Sequence, residues 1–328
     1  MKKATASSVF VAAMLLAVAV LAQAQQSARI PRIGYLAQRN APTPTIPDPA
    51  VDAFQQGLRD LGYVEGKNII IEYRYAEGSE ERLRGHVADF VQLKVDVIVS
   101  PALPVIRAAK QATKTIPIVM ATTADPVATG LVDSLARPGG NVTGLTRLTR
   151  ELSGKRLELL KEVVPKLSRV GLLLASNATE FKDYESAARA LKIQLQSLEV
   201  RSPTPDFEGA FQAASKGRVN ALVTVSGGLT VSYVKQIAEL AINNRLPSMH
   251  ERNVFVEAGG LMSYSSNDDE SFRRAAYYVG RILKGTKPAE LPVEQPMKFE
   301  LMINLKTARQ IGVMIPQSLL YRADKVIK

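Results

Sequence analysis

Three apolar segments occur twice in this chain, in the same order. RIGYLA begins at Arg32 and RVGLLLA at Arg169. VDVIVSPA begins at Val95 and VNALVTVSGG at Val219. TIPIVMATT begins at Thr115 and RLPSMHERN at Arg245. A strand-like run that returns at matched intervals points to two copies of one architecture. Between the runs lie amphipathic helices. Val51, Phe54, Leu58 and Leu61 recur every three to four residues and predict a helix over 50–61, stopped by Gly62. The same reading predicts helices over 80–93, 104–112, 181–191, 207–214, 231–243 and 272–283. It predicts strands over 33–36, 68–75, 95–100, 116–121, 170–175, 194–200 and 221–225, with Ser248 on a further strand. Continuous apolar strands alternating with helices make parallel sheets covered on both faces. The expected fold is α/β: two doubly wound parallel-sheet lobes with a cleft between them, joined near residues 141–145.

Lobe 1 is expected to hold residues 30–144 with part of the later chain, about 265–297. Lobe 2 is expected to hold 145–264 with part of the tail, about 298–328. The tail is too short for a third domain and is expected to cross between the lobes again. The first 24 residues are read separately. Met1-Lys2-Lys3 is a basic start, Val9 to Leu21 is an uncharged apolar run of 13 residues, and Ala22-Gln23-Ala24 is a small-x-small site. That order marks a secretory signal peptide cleaved after Ala24. The run is too short for a spanning helix, which needs roughly 20 apolar residues. The chain has no cysteine, so a lipid anchor at the cleavage site, disulfides and thiol chemistry are all excluded. A soluble periplasmic protein is expected. The formal net charge is +11, and loss of Lys2 and Lys3 leaves +9. The basic residues are scattered among acids without a dense block, so no nucleic-acid partner is expected.

Ligands of open parallel sheets bind beyond the carboxyl ends of the strands. In the first half those positions are Gln38, Ser100 with Ala102, and Thr122, Thr123 and Asp125. In the second half they are Asn177, Ser226 with Gly227 and Gly228, and His250 with Glu251. Most carry hydroxyl, amide or carboxylate groups, and several immediately precede a helix whose free N–H groups receive anions. Asp125 has a second reading, as the cap of a helix opened by Pro126. Enzyme signatures are missing. There is no G-x-G-x-x-G after the first strand, no P-loop and no G-x-S-x-G elbow. The two histidines, His86 and His250, have no second ligand at metal spacing. No cofactor, no metal and no catalytic residue are expected. The competing enzyme reading would use His250 and Glu251 as an acid–base pair in the same cleft.

Three long stretches narrow the family. ADPVATGLVDSLARPGGNVTGL from Ala124, FQQGLRDLGYVEGKNIIIEYRYAEG from Phe54, and GLMSYSSNDDESFRRAAYYVGRILKGTKPAELPVEQPMKFELMINLKTARQIGVMIPQSLLYRADKVI from Gly260 resemble a family of substrate-binding proteins of ABC transporters. That family has the type I periplasmic binding fold and includes tryptophan- and tyrosine-binding members. The resemblance implies a monomer that closes its two lobes on a small polar solute and delivers it to a permease in the inner membrane. The solute would be an amino acid or other small carboxylate. An aromatic solute would want a ring to stack on; the chain has no Trp, which leaves Tyr35 and Tyr264. A sensor that presents its ligand to a receptor fits the same residues.

Overall fold

The computed structural model describes residues 29–43, 48–122, 124–146, 152–176, 181–295 and 298–328. The proposed signal segment, Thr123 and Asn177 lie outside the described residues. Two sheets organise the chain. The first runs in the order β2 (Ile70–Tyr75), β1 (Arg32–Ala37), β3 (Val97–Ser100), β4 (Ile118–Thr122), β5 (Val142–Thr146), and every pairing is parallel. The second runs β12 (Lys325–Ile327), β11 (Phe299–Asn304), β10 (Met262–Ser266), β9 (Ser248–His250), β8 (Ala221–Thr224), β6 (Arg169–Ala175), β7 (Gln194–Val200). It is parallel except where β10 meets β11. Central strands such as VIVS of β3 and ALVT of β8 are buried along their whole length, as sheets covered on both faces require. This is the doubly wound α/β fold that the alternation of apolar runs and helices implied.

Helices close each face. Pro49–Asp60 starts where Asp48 accepts from the Val51 N–H, with proline at its first position. Asp268–Leu283 starts at Asn267, which accepts from the Glu270 N–H; three acids fill its first turn and complement the helix dipole. These two helices pack on the first sheet and on each other. A Cβ on Gly57 would lie 2.8 Å from the Cβ of Ala276. Phe54, Leu58, Phe272, Ala275 and Val279 fill one core with Ile33, Val97 and Val119. A helix formed late in the sequence therefore belongs to the first sheet.

Three backbone expectations are corrected. The helix expected after Pro126 is a run of turns over 126–130, with Gly130 at φ +68°. The segment near 141–145, where the lobes were expected to join, carries a strand that the sequence reading lacked, β5, the last of the first sheet before the chain leaves it. Gly144 sits there at φ +124°, where an added Cβ would lie 2.2 Å from the Met120 carbonyl oxygen. Glycine is the residue that tolerates this conformation and this approach. The helix expected over 231–243 is broken, into Gly228–Ser232 and Val234–Asn243, at Tyr233. Tyr233 packs its ring 5.2 Å from that of Phe207.

The chain leaves the first sheet after Thr146, returns to it from Ser266 through Asn267, and leaves again beyond Gln295. The end of β5 is tied to the last of these segments. Glu294 N donates to Gly144 O at 3.0 Å, and Thr146 N donates to Glu294 O at 2.9 Å. Arg274 grips the Glu294 carboxylate with two bonds of 2.8 and 2.7 Å. Replacing Gly144 with alanine is expected to destabilise the protein by about 1–3 kcal/mol through backbone strain, more than an alanine placed at exposed Gly85, as urea unfolding would measure.

Candidate functional site

The carboxyl ends of the two sheets face one another. Gln38 and Arg39, just past β1, meet Gly228, just past β8. A Cβ on Gly228 would lie 3.1 Å from the Gln38 Cβ and 3.4 Å from the Arg39 backbone nitrogen. One residue further, Asn40 N donates to Ser232 Oγ at 3.0 Å. Nearer the crossings, Arg252, just past β9, is ion-paired to Asp268 at the start of the helix that packs on the first sheet. At the opposite edge, an open groove of about 1040 Å³ is lined by Asn40, Pro42, Glu77 and Arg82 from one lobe and Pro203 and Tyr233 from the other. The crossings thus bound one side of the cleft and this groove opens the other.

The strand-end residues named from sequence have distinct placements. Ser100 is fully buried, with its Oγ donating to Leu36 O at 2.7 Å and accepting from Ala102 N at 3.1 Å. Thr122 is buried and accepts from Ala124 N through Oγ1. Asp125 accepts from the N–H groups of Val127 and Ala128 at 2.9 and 3.0 Å, the geometry of a turn cap. Gln38, Gly227 and Gly228 keep exposed surface between the lobes. Thr230 caps the glycine turn: its Oγ1 accepts from Gly227 N at 3.0 Å and donates to Val225 O at 2.9 Å.

His250 and Glu251 part company despite being neighbours. The His250 ring is fully buried, stacks on Phe255 at 4.9 Å with an interplanar angle of 2°, and shares a hydrogen bond with Ser248 Oγ at 3.0 Å. Burial pushes its pKa down to about 3, so it is neutral at physiological pH. Glu251 points elsewhere. Its Oε1 accepts from Tyr184 Oη at 2.7 Å and Arg156 Nη1 at 3.2 Å, and its Oε2 accepts from Ser226 N at 2.9 Å.

Arg156 has no exposed side-chain surface. Its Nε also donates to the Tyr264 carbonyl on β10 at 2.9 Å. Burial works against its charge, but Tyr184 and Glu251 outweigh that and hold the guanidinium protonated. The sequence reading missed Arg156 and Tyr184. The signal was on the helix Ser153–Val163, where Ser153, Arg156, Leu157, Leu160 and Val163 share the buried face. A cation on an apolar face requires a buried partner.

A second charged group, also unread from sequence, stands at the end of β1. Arg39 donates from Nη2 to Asp48 Oδ2 and to Tyr35 Oη, the latter at 3.3 Å. Tyr35 is fully buried, and its ring packs against Phe54 and Tyr73. Burial drives the Tyr35 phenol far above its usual range, while Arg39 and, less strongly, Arg252 pull it back. Tyr264 is half-buried and lies 6.1 Å from the ring of Phe299.

Comparison with known proteins bears on this site. The model of the family described as ABC transporter substrate binding protein matches residues 46–327. The chain is 28% identical over 278 residues to a tyrosine-binding protein of Clostridioides difficile, covering 81% of this chain and 77% of that one. A conserved domain protein of Vibrio cholerae superposes with a TM-score of 0.81 at 28% identity, over 91% of this chain and 100% of that one. An ABC domain of Streptococcus pneumonia, solved in complex with L-Trp, superposes with a TM-score of 0.79 at 25% identity, over 90% and 99%.

Two outcomes follow from the buried groups. Arg156→Met strands the Glu251 carboxylate and is expected to cost about 3–5 kcal/mol; adding Glu251→Leu should restore much of that loss in urea titrations. For His250, the folded pKa lies below the ordinary 6.5, so the unfolded chain binds a proton that the folded chain refuses. Its contribution to stability is complete above pH 6.5 and is lost as the pH falls toward 3, at up to about 1.4 kcal/mol per pH unit. Unfolding of the wild type and His250→Gln across pH 4–7 should show a shallower acid slope for the variant.

Proposed function

The chain belongs to the ABC transporter substrate-binding protein family, and from that premise we propose that it captures an amino acid, or a similarly small carboxylate, and delivers it to an inner-membrane permease. Members of this family are extracytoplasmic binding proteins, and solute binding is the role of this chain. Among the described residues, no helix is long and apolar enough to cross a membrane. The apolar leader ending at Ala24 supports export to the periplasm with cleavage there. The observation that carries the reading is the meeting of the two lobes at their strand ends, Gly228 on Gln38 and Ser232 on Asn40. A solute held at those ends touches both lobes, so it favours the closed form by its differential affinity. The closed form is then the state that the permease receives.

Relatives favour an aromatic amino acid: one is named for tyrosine and another was solved with L-Trp. Among the residues proposed from sequence, Gln38, Ser226, Gly227 and Gly228 are the ones whose position supports direct contact with a solute. Ser100, Thr122 and Asp125 support the loops beneath. Ser226 presents its backbone on the floor set by Glu251, and Gly227 and Gly228 let a solute approach the chain closely. A protein of this kind needs no acid–base pair, and neutral, buried His250 supports that reading.

The direct test is thermal unfolding of residues 25–328, stripped of carried ligand and refolded, against amino acids, aromatic acids, short carboxylates, nucleosides and sugars. A solute present at 100 times its Kd should add about 2.7 kcal/mol of stability, and L-tyrosine or L-tryptophan is the expected hit. Gly228→Leu, which drives a side chain into Gln38, should weaken that binding while leaving the melting temperature of the free protein nearly unchanged. Equal affinity in the variant would remove the glycine turn from the site.

A further inference from the structure

Basic residues that lie scattered along the sequence are gathered by the topology of the second lobe. Its strands β9, β8, β6 and β7 are parallel neighbours, so the loops that lead into them share the end of the sheet opposite the cleft. Those loops are VPKLS over 164–168, LKI over 191–193, GRVN over 217–220 and NRLP over 244–247. Each carries one cation and no acid. Lys166, Lys192, Arg218 and Arg245 are all exposed, and so is Lys216, the last residue of the helix Phe207–Lys216. Acids on the neighbouring helices are engaged with other cations: Glu185 with Arg189, Glu239 with Lys235 and Glu162 with Arg322. Adjacent strands lie about 4.8 Å apart, inside the screening length of about 8 Å at physiological salt. The potentials of neighbouring loops therefore add.

Local rules do not account for this row. A helix C-terminus favours a cation, but the same end of the first sheet meets that demand with acids interleaved. Arg32 pairs there with Glu72 at 2.8 Å and Arg29 with Asp96 at 3.9 Å. Lys192, Arg218 and Arg245 hold φ values of +58°, +54° and +51°, the left-handed position where glycine costs least. Backbone preference therefore does not select them. The row is also braced. Asn220 Oδ1 accepts from Ser168 N, Ser168 Oγ and Arg169 N at 3.2, 2.7 and 3.1 Å. The Arg169 guanidinium donates to Gln194 Oε1 and to the Gly217 carbonyl. These bonds join three of the four loops through neutral acceptors, so they fix the row without cancelling its charge.

We propose that this end of the second lobe is a docking surface for the anionic headgroups of a phospholipid bilayer. The cations are spread along four strands, roughly 15 Å, on separate loop tips, which fits a plane of charges rather than one small anion. The four loops hold no aromatic residue on which the bases of a single-stranded nucleic acid would stack. They also expose no large apolar side chain for insertion. Attachment is therefore electrostatic, reversible and sensitive to salt. The cleft, at the carboxyl ends of the same strands, is left open to solvent.

The test is flotation of residues 25–328, free of the apolar leader, with vesicles of phosphatidylcholine and phosphatidylglycerol in equal parts, and with vesicles of phosphatidylcholine alone. Binding to the anionic vesicles is expected at low salt and should be lost in 1 M salt, where the screening length is about 3 Å. The triple variant Lys192→Gly, Arg218→Gly and Arg245→Gly removes three charges where glycine suits the backbone. It should stay folded, as its melting temperature checks, and bind at least about tenfold more weakly. If it unfolds, Lys166→Gln with Lys216→Gln probes the same face from ordinary surface positions. Lys67→Gln, Lys284→Gln and Lys287→Gln remove the same charge from exposed positions elsewhere and should leave binding unchanged. No binding to anionic vesicles at low salt would overturn the assignment. So would equal binding to neutral vesicles, or equal losses in the two triple variants, which would make net charge alone the cause. Binding to duplex DNA without binding to vesicles would overturn it in favour of a soluble polyanion.

Discussion

A guanidinium without exposed surface has to be satisfied inside the protein, and the way Arg156 is satisfied orders the second lobe. One side chain reaches the Glu251 carboxylate, the Tyr184 hydroxyl and the Tyr264 carbonyl. These lie beyond β9, on the helix Phe181–Ala190 and on β10. Glu251 passes the constraint on, because its other oxygen holds Ser226 N and with it the start of the glycine turn. The part of the second lobe that meets Gln38 is thus anchored to the first helix after the chain enters that lobe. Removing either charge leaves the other buried, which is why the pair behaves as one unit.

The first lobe solves a related problem at its joints. Glu294 uses its backbone to extend the sheet beside Gly144 and Thr146, and its carboxylate to meet Arg274. The crossing segments near Thr146 and Glu294 therefore lie side by side and are held to one helix. The Arg274 guanidinium also lies 3.9 Å over the ring of Tyr277, so the same side chain stiffens the helix surface and the joint.

Much of this architecture was legible in the residues. Runs such as VDVIVS and the spacing of Val51, Phe54 and Leu58 are local signals, and the strands and helices they imply are present. β5 was not legible, because Gly144 interrupts its β-branched character and its pairing with β4 is a long-range fact. The break at Tyr233, whose ring packs on Phe207, follows no local pattern either. At the site, strand-end positions follow from topology, but their chemistry does not. Asp125 looks the same in sequence whether it caps a turn or meets a solute. Arg39 and Arg252 occupy loops, where no periodicity distinguishes a charge paired inside the protein from a solvated one. Arg156 was the exception, since an arginine among Leu157, Leu160 and Val163 is conspicuous once the helix face is drawn.

The helix Asp268–Leu283 has a consequence for the order in which this protein is made. It supplies Phe272, Ala275, Ala276 and Val279 to a core whose other walls are β1, β3, β4 and the helix Pro49–Asp60. A chain growing from its amino terminus has all of those walls long before it has this helix. Until then one apolar face of the first sheet lacks half its cover, so the amino-terminal part cannot reach its final packing alone.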